Sequence, residues 1–243
     1  MKRLAIIPAR GGSKRILNKN IRDFCGKPII AYTLETLQAS KLFDVIHVST
    51  DSVAISEVVS NLGFPPDFFR SSELADDYTP IMPVLKYVCR EYAKKERFFD
   101  QIWLLMPTAP FLEVKDLIAA EKLFVQAGAH MPLLGVSAYQ APIEWAFERK
   151  KNGKLIPVQS GMFTKRSQDL KEKYFDIGSF ALFPPSTVLE SEGAGDDSRF
   201  IGQIFPKYKS LSIGGGISYL FSIPARPVFL AYTVTEQSSQ LTF

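Results

Sequence analysis

The sequence has few cysteines and no grouping of metal-binding side chains. Its two cysteines, Cys25 and Cys89, lie far apart and have neither a Cys-x-x-Cys spacing nor a paired histidine. Disulfide-stabilised domains and structural zinc sites need several such residues at close spacing. We therefore expect neither disulfides nor zinc, and we expect a reducing compartment, the cytoplasm, as the location of the protein.

The sequence also lacks long hydrophobic runs and a strong excess of one charge. No run approaches the roughly 18 apolar residues that cross a bilayer, and the apolar run near Met1 is too short for a signal peptide. Lys and Arg total 29 against 25 Asp and Glu, a net charge of +4, which is far from the dense basic surface of a nucleic-acid-binding protein. We expect neither a membrane nor a nucleic acid as partner.

Hydrophobic residues make up 46% of the 243 residues, enough for a substantial core. Short apolar runs predict buried strands at 4–7, 45–48, 101–105 and 133–136, and amphipathic stretches predict helices at 28–38, 53–62, 80–95 and 114–126. Strands that are apolar on both faces and alternate with helices predict an α/β fold, a single domain whose mostly parallel sheet is covered by helices on both faces. His47, inside the second strand, is expected in the core.

The loops after the strands are where this fold places ligands, because the crevice lies beyond the carboxyl ends of parallel strands. Here they are residues 8–20, 49–51 and 106–110. Two interpretations of the second loop stay open: Asp51 caps the following helix, or the loop belongs to the site. Around residues 138–170, prolines and an Asn152-Gly153 pair break the pattern, which predicts a small insertion or hairpin and a candidate dimerisation arm.

The loop after the first strand concentrates glycine and positive charge. It reads Pro8-Ala9-Arg10-Gly11-Gly12-Ser13-Lys14-Arg15 and continues to Asn18-Lys19-Asn20. Adjacent glycines let backbone N–H groups approach a ligand, and nearby cations favour a polyphosphate. The spacing matches neither the P-loop nor the Gly-x-Gly-x-x-Gly dinucleotide motif. From the residues alone, both a polyphosphate-binding loop and a solvated basic turn remain possible.

The segment IIPARGGSKRILNKNIRDFCGKPIIAYTLETL resembles the opening motif of the CMP-sugar synthetases, the acylneuraminate cytidylyltransferase family that activates nonulosonic (sialic-acid-like) sugars. The resemblance covers roughly residues 3–206 and implies a Rossmann-like, GT-A-like nucleotidyltransferase fold. It also implies a set of residues that bind the triphosphate and cytidine of CTP: Arg10, Gly11, Gly12, Ser13, Lys14, Lys19, Asn20 and Thr108.

Two later segments resemble the pseudaminic acid cytidylyltransferase branch of this family. FFRSSELADDYTP resembles the segment that approaches the sugar, and TKRSQDLKEKYFDIGSFALF carries the Arg-Ser-Gln-Asp-Leu run and the Tyr-x-Asp-x-Gly pattern of the branch. The residues thereby implied on the sugar side are Arg70, Asp77, Thr79, Arg166, Gln168, Asp176 and Gly178. Arg166 is the candidate partner of the sugar carboxylate, because a guanidinium binds a carboxylate through two parallel hydrogen bonds.

The resemblance implies that the anomeric hydroxyl of a sugar acid attacks the α-phosphorus of CTP and that pyrophosphate leaves. Catalysis then depends on positioning and on positive charge near the phosphates, for which Arg10, Lys14 and Lys19 are the candidate catalytic residues. Mg²⁺ is the implied cofactor, with Asp176 as its candidate ligand. CTP, a nonulosonic acid and a second copy of the chain, in a homodimer, are the implied partners.

The sequence departs from the family in an atypical tail, residues 207–243, which follows the expected catalytic domain at 1–206. Family members close with an Asp-Ile-Asp type segment that supplies metal-binding carboxylates, whereas Glu236 is the one acidic residue of this tail. Either Asp176 and the triphosphate hold the metal alone, or the reading frame slipped near Lys209 and replaced the native tail, which is the explanation we favour. In that case we expect a nucleotide-binding homologue with impaired or no catalysis.

Overall fold

The computed structural model of the chain describes residues 1–14 and 16–206, and beyond them the backbone of three short strands at 219–220, 231–235 and 238–242. Arg15 lies outside the described residues. Lys209 and Glu236 also lie outside the described residues. The prediction of a frame slip near Lys209 therefore lies outside them too. The three short strands pair antiparallel in a sheet of their own.

Ten strands and five α-helices make up the described part of the chain before residue 207. The strands are β1 (Arg3–Pro8), β2 (Asp23–Phe24), β3 (Lys27–Pro28), β4 (Val45–Ser49), β5 (Gln101–Leu105), β6 (Leu133–Ala138), β7 (Phe147–Arg149), β8 (Leu155–Pro157), β9 (Tyr174–Phe183) and β10 (Ile201–Ile204). The helices are α1 (Ile29–Ser40), α2 (Val53–Asn61), α3 (Ile81–Ala93), α4 (Val114–Gln126) and α5 (Pro185–Glu190).

Six of these strands form the central sheet, in the order β10-β6-β9-β5-β1-β4. Strand β1 pairs parallel with both β4 and β5, and β10 pairs parallel with β6. Strand β9 lies between β5 and β6 and runs antiparallel to both. The predicted mostly parallel sheet is confirmed, with β9 as its one reversed strand among the described residues.

Helices cover both faces of the sheet because its strands are apolar on both sides. In β1, Ala5 and Ile7 pack into the cluster that contains α1, α2 and α4, while Leu4 and Ile6 pack into the cluster that contains α3 and α5. All four side chains are fully buried. This alternation fixes the strand rigidly, so the loop that follows Pro8 starts from a well-defined position.

His47 confirms the expectation of a core histidine. Its ring is buried, stacks on Phe68 with 4.4 Å between centroids, and has its Nδ1 3.2 Å from the Tyr92 hydroxyl. Burial disfavours the charged imidazolium and lowers the pKa of His47 to about 4. The histidine therefore packs as a neutral group.

The interrupted region after β6 contains the predicted hairpin. Strands β7 and β8 pair antiparallel, and the turn between them uses Gly153 at a φ of 85°, which glycine adopts without strain. Several large apolar side chains of this hairpin and its flanks are exposed: Ile143, Phe147, Leu155, Ile156, Val158 and Phe163. Within the described residues, no helix is both long and apolar enough to span a bilayer.

Candidate active site

The carboxyl ends of β1, β4 and β5 lie side by side at one edge of the sheet. Pro8 pairs with Ser49, so the first loop and the loop after β4 begin next to each other. Because β9 is reversed, its first residues lie at this same edge: Leu105, the last residue of β5, pairs with Phe180, and Asp176 lies four positions earlier along β9. This edge brings together most of the predicted site residues.

The loop after β4 holds the backbone of the first loop in place. Ala9 N donates to Ser49 O at 2.9 Å, and Gly11 N donates to the Asp51 carboxylate at 3.0 Å. From the other side, the Asn20 amide nitrogen donates to Arg10 O at 3.1 Å. Asn20 is buried and its amide oxygen has no protein partner. A buried acceptor left open beside the loop suits a hydrogen-bond donor on a ligand.

Gly11 and Gly12 differ in what surrounds them. A side chain on Gly11 would place its Cβ 2.9 Å from the Ser52 Cβ, so glycine is required by the close approach of the two loops. A Cβ on Gly12 would meet nothing within 4 Å, and the φ of Gly12 is not in the left-handed range. The packing of the protein itself therefore explains Gly11 and leaves an open space at Gly12.

The cations of the first loop converge on the segment that precedes α3. Arg10 Nη2 lies 2.8 Å from one Asp77 oxygen, and Lys14 Nζ lies 2.5 Å from the other. The second Arg10 nitrogen donates to the Asp76 carbonyl. The contact with Lys14, reinforced by Arg10, holds the pKa of Asp77 below its ordinary value. Asp77 was predicted on the sugar side; here it contacts two candidate catalytic cations.

The Asp76 carboxylate shapes the turn that presents Asp77. Its oxygen accepts hydrogen bonds from Tyr78 N at 2.9 Å and from Thr79 N at 2.6 Å. The Thr79 hydroxyl donates to Glu73 O at 3.4 Å. Hydrogen bonds from Thr79, its side chain first, lower the pKa of Asp76. Thr79, another predicted sugar-side residue, thus makes its described polar contacts with Glu73 and Asp76, within its own segment.

Arg70 is buried near the end of β4. Its Nε donates to Ser49 Oγ at 3.0 Å, one Nη donates to Ser49 O at 2.6 Å, and its backbone N donates to Thr50 O at 2.7 Å. Burial lowers the pKa of Arg70 to about 10, and the nearby Asp51 opposes this shift. Arg70 is therefore still charged at neutral pH, and it braces the end of β4 on which the first loop rests.

The two interpretations of Asp51 are separated by the hydrogen bonds. Ser52, not Asp51, caps α2, since its side chain accepts from Ile55 N. Asp51 instead binds the Gly11 backbone. The capping interpretation of Asp51 is wrong, because the helix begins one residue later than that role requires. The alternative interpretation, that this loop belongs to the site, rested on its place directly after a buried parallel strand, and the contact of Asp51 with Gly11 N favours it.

Asp176 lies at the start of β9 on the same edge. It is solvent-accessible, yet the surrounding protein removes part of its hydration and raises its pKa, a shift that the hydrogen bond from Gly178 N at 2.8 Å opposes. Gly178 adopts a φ of 63°. Thr108 is buried in the turn after β5, which is tied to β9 by a hydrogen bond from Met106 N to Ser179 O.

A divalent cation finds few protein ligands within the described residues. They contain no group of three or more carboxylate, histidine or cysteine side chains able to hold a metal. Mg²⁺, however, commonly takes only one or two carboxylates and completes its shell with substrate phosphates and water. Asp176, a partly desolvated carboxylate at the ligand edge, fits that kind of shared site.

The remaining predicted residues lie in two places: Arg166 and Gln168 in a later turn, and Ser13 and Lys19 in the first loop and the turn after it. Arg166 is exposed and forms two hydrogen bonds with Asp169, at 2.8 and 3.1 Å, across a short 3₁₀ turn at Ser167–Asp169. Gln168 is exposed within that turn. Ser13 N donates to Gly11 O, which tightens the first loop, and Lys19 begins the 3₁₀ turn Lys19–Ile21. Within the described residues, Arg166 and Gln168 make their hydrogen bonds inside their own turn, so their sugar-side roles stay predictions.

Comparison with known proteins identifies the family to which the sequence is similar. The sequence profile of a family described as cytidylyltransferase matches residues 4–124, which include the first loop and the turn after β5. A pseudaminic acid cytidylyltransferase of Campylobacter jejuni is 36% identical over 192 residues, 79% of this chain and 82% of the relative. A CMP-N,N'-diacetyllegionaminic acid synthase of Legionella pneumophila is 33% identical over 64% of this chain and 66% of the relative.

Among solved structures, a CMP:2-keto-3-deoxy-manno-octonic acid synthetase complexed with CTP superposes with a TM-score of 0.58. The alignment covers 78% of this chain and 76% of that one, at 17% identity. At that identity the likeness concerns the fold alone, and it confirms the predicted nucleotidyltransferase architecture.

Proposed function

The chain belongs to the cytidylyltransferase family, and from this premise we propose that it transfers the cytidylyl group of CTP to a nonulosonic acid. We propose pseudaminic acid as the acceptor and pyrophosphate as the second product. The observation that carries the proposal is the first loop, in which Arg10 and Lys14 lie beside an open glycine backbone at the carboxyl end of β1.

In the proposed reaction a bond forms between the sugar hydroxyl oxygen and the α-phosphorus of CTP, the bond from that phosphorus to the pyrophosphate oxygen breaks, and the hydroxyl proton is released to water. Negative charge accumulates on the leaving pyrophosphate. Arg10, Lys14 and Lys19 stabilise this charge, because preorganised cations lower the barrier without reorganising during the step. The N–H groups around the open space at Gly12 bind phosphate oxygens, and Asn20 orients the nucleotide through its open amide oxygen.

We propose that Asp176 and the substrate phosphates together hold Mg²⁺. When bound there, the cation supplies positive charge at the reacting phosphates. The chain's own contribution is to fix the carboxylate: β9 places Asp176 at the ligand edge, and Gly178 N holds one of its oxygens.

The oligomeric state and the cellular location are further parts of the proposal. We propose a homodimer formed through the β7–β8 hairpin, supported by the exposed apolar side chains of this arm, including Phe147 and Phe163. We propose a cytoplasmic location, supported by the two cysteines, which are both free thiols. Light scattering of the purified chain, with a Phe163→Glu variant beside it, tests the dimer, since the variant is expected to be monomeric.

The decisive experiment measures pyrophosphate release with CTP, Mg²⁺ and a panel of acceptors: pseudaminic, legionaminic and N-acetylneuraminic acids. We expect release with CTP and not with UTP or ATP, and the highest kcat/KM with pseudaminic acid. Preference for another nonulosonic acid contradicts the proposed acceptor but keeps the reaction. If the chain binds CTP but none of these acceptors supports turnover, the proposed reaction is contradicted.

The acid-poor tail favours a second candidate function, a nucleotide-binding homologue with impaired catalysis. The test is a chain in which residues 207–243 are replaced by a tail that carries an Asp-x-Asp segment. If the tail limits catalysis, this replacement raises sugar-dependent pyrophosphate release at least tenfold, while the affinity for CTP without Mg²⁺ changes little. Equal rates with both tails contradict the second candidate.

A further inference from the structure

The Asp77 carboxylate binds two cations of the first loop at once. One oxygen lies 2.8 Å from Arg10 Nη2 and the other lies 2.5 Å from Lys14 Nζ. Arginine and lysine bind carboxylate and phosphate oxygens through the same kind of charge-assisted hydrogen bond. The carboxylate thus contacts both cations to which the proposed function assigns a phosphate.

The segment that carries Asp77 is fixed at both ends. At one end Arg70 is buried and bonded to Ser49 and Thr50, and at the other end α3 begins at Ile81. Between these points Asp76 closes a turn by accepting from two backbone N–H groups. Asp77 is therefore presented to the loop by a short tethered segment, so its local concentration at the cations is high.

The contact lies at the surface and is easily exchanged. The Lys14 side chain is 82% exposed and the Asp77 side chain is 26% exposed. Because the lysine is this exposed, its ion pair with Asp77 contributes little to stability, and a ligand with several negative charges can displace the carboxylate. Displacement still reduces the ligand's net gain, because the ligand must first break two existing charge-assisted contacts.

We propose that Asp77 is an internal competitor for the phosphate-binding cations, and that its return to Arg10 and Lys14 assists the release of pyrophosphate. This inference rests on the proposed function, in which pyrophosphate is a product. When pyrophosphate leaves, the carboxylate replaces it, so the two cations do not lose all their hydrogen-bond acceptors during product release. Asp77 is then a residue that weakens product binding.

The test is titration of inorganic pyrophosphate into the wild-type chain and an Asp77→Asn variant, by calorimetry and without sugar. The amide keeps the size of the side chain and removes the competing charge. We expect the variant to bind pyrophosphate about threefold to tenfold more tightly, and pyrophosphate to inhibit its turnover at correspondingly lower concentration. The matched control is Glu73→Gln, which removes the same charge from an exposed residue of the same segment and is expected to leave the affinity unchanged.

Two outcomes overturn the inference: Asp77→Asn binds pyrophosphate no more tightly than the wild type, or Glu73→Gln tightens binding equally. A Lys14→Met background provides a further check, since removing one of the two shared cations is expected to shrink the gain from Asp77→Asn. An Asp77→Ser variant repeats the measurement if the asparagine variant melts at a lower temperature. If the chains bind CTP tightly and Asp77→Asn does not change pyrophosphate affinity, only this inference is contradicted. If no chain binds CTP, the proposed function is contradicted.

Discussion

At the scale of single residues, Gly11 and Gly12 are neighbours that differ in their surroundings. Gly11→Ala forces its Cβ against Ser52 and is expected to lower the free energy of unfolding by about 1–3 kcal/mol, the usual cost of overpacking. Gly12→Ala meets open space, so we expect an unchanged melting temperature and a weaker affinity for CTP. Thermal melts and CTP titrations of both variants separate the two roles. A Gly12→Ala variant that binds CTP normally contradicts the phosphate contact at this position.

Lys19 is expected to contact the phosphates, because its 3₁₀ turn follows the glycine loop and also contains the buried Asn20. Removing one charge-assisted contact by Lys19→Ala is expected to weaken CTP binding about tenfold. Lys122→Ala, at an exposed position of α4, is the matched control for the loss of one positive charge. If both variants bind CTP as the wild type does, Lys19 has no place in the site.

At the scale of elements, the helices and the parallel strands could be predicted because each leaves a local pattern. Strand β5 was predicted with its observed bounds, and so was α4. Strand β9 left no such pattern: its first half carries Tyr174, Asp176 and Gly178 at the ligand edge, and only its last four residues are continuously apolar. Its reversed insertion between β5 and β6 is decided by tertiary packing, which no local periodicity contains.

In the candidate site, too, local sequence features could be recognised, whereas contacts between distant segments could not. The position of a loop after a buried strand pointed to Arg10 and Lys14 as candidates, and the structure brings both to one carboxylate. Their shared contact with Asp77 was not predictable, since 63 residues separate Lys14 from Asp77 and no pattern couples the two segments. Asp51 could not be distinguished from a cap by sequence, because Ser52 beside it is an equally good one.

The segment that contains Arg166 is expected to act on the sugar and not on the nucleotide. Its guanidinium already forms a fork with the Asp169 carboxylate, which is the geometry it would offer to a carboxylate of the substrate. We therefore expect Arg166→Ala to raise KM for the sugar acid about tenfold or more and to leave KM for CTP nearly unchanged. Steady-state kinetics with each substrate varied in turn decide the matter, and equal changes in both constants contradict the assignment.

At the scale of the whole molecule, the buried His47 makes stability depend on pH. Its pKa is about 4 in the folded chain against an ordinary value of 6.5, so the unfolded state binds a proton first as pH falls. Stability from this group is complete above pH 6.5 and is lost below it. At pH 5 we expect a free energy of unfolding about 2 kcal/mol lower than at pH 7.5.

Denaturant titrations across this pH range measure the loss, and two variants assign it. His47→Gln removes the titrating group and is expected to flatten the dependence between pH 6.5 and 5. His130→Gln changes the second histidine, which is exposed, and is expected to keep the slope. A steep slope that survives in His47→Gln contradicts the assignment of the acid sensitivity to His47.

The reversed strand β9 also determines the order in which the protein can be completed during synthesis. Strands β4, β1 and β5 are adjacent and come from the first 105 residues, so they can assemble early on the ribosome. Strand β6 follows at residue 133 but has no partner in that group, because β9 has to be inserted between β6 and β5. Until residue 183 has emerged, the nascent chain therefore exposes the free backbone edges of β5 and β6. Such edges pair readily with other chains, so this is the interval in which the protein most needs a chaperone.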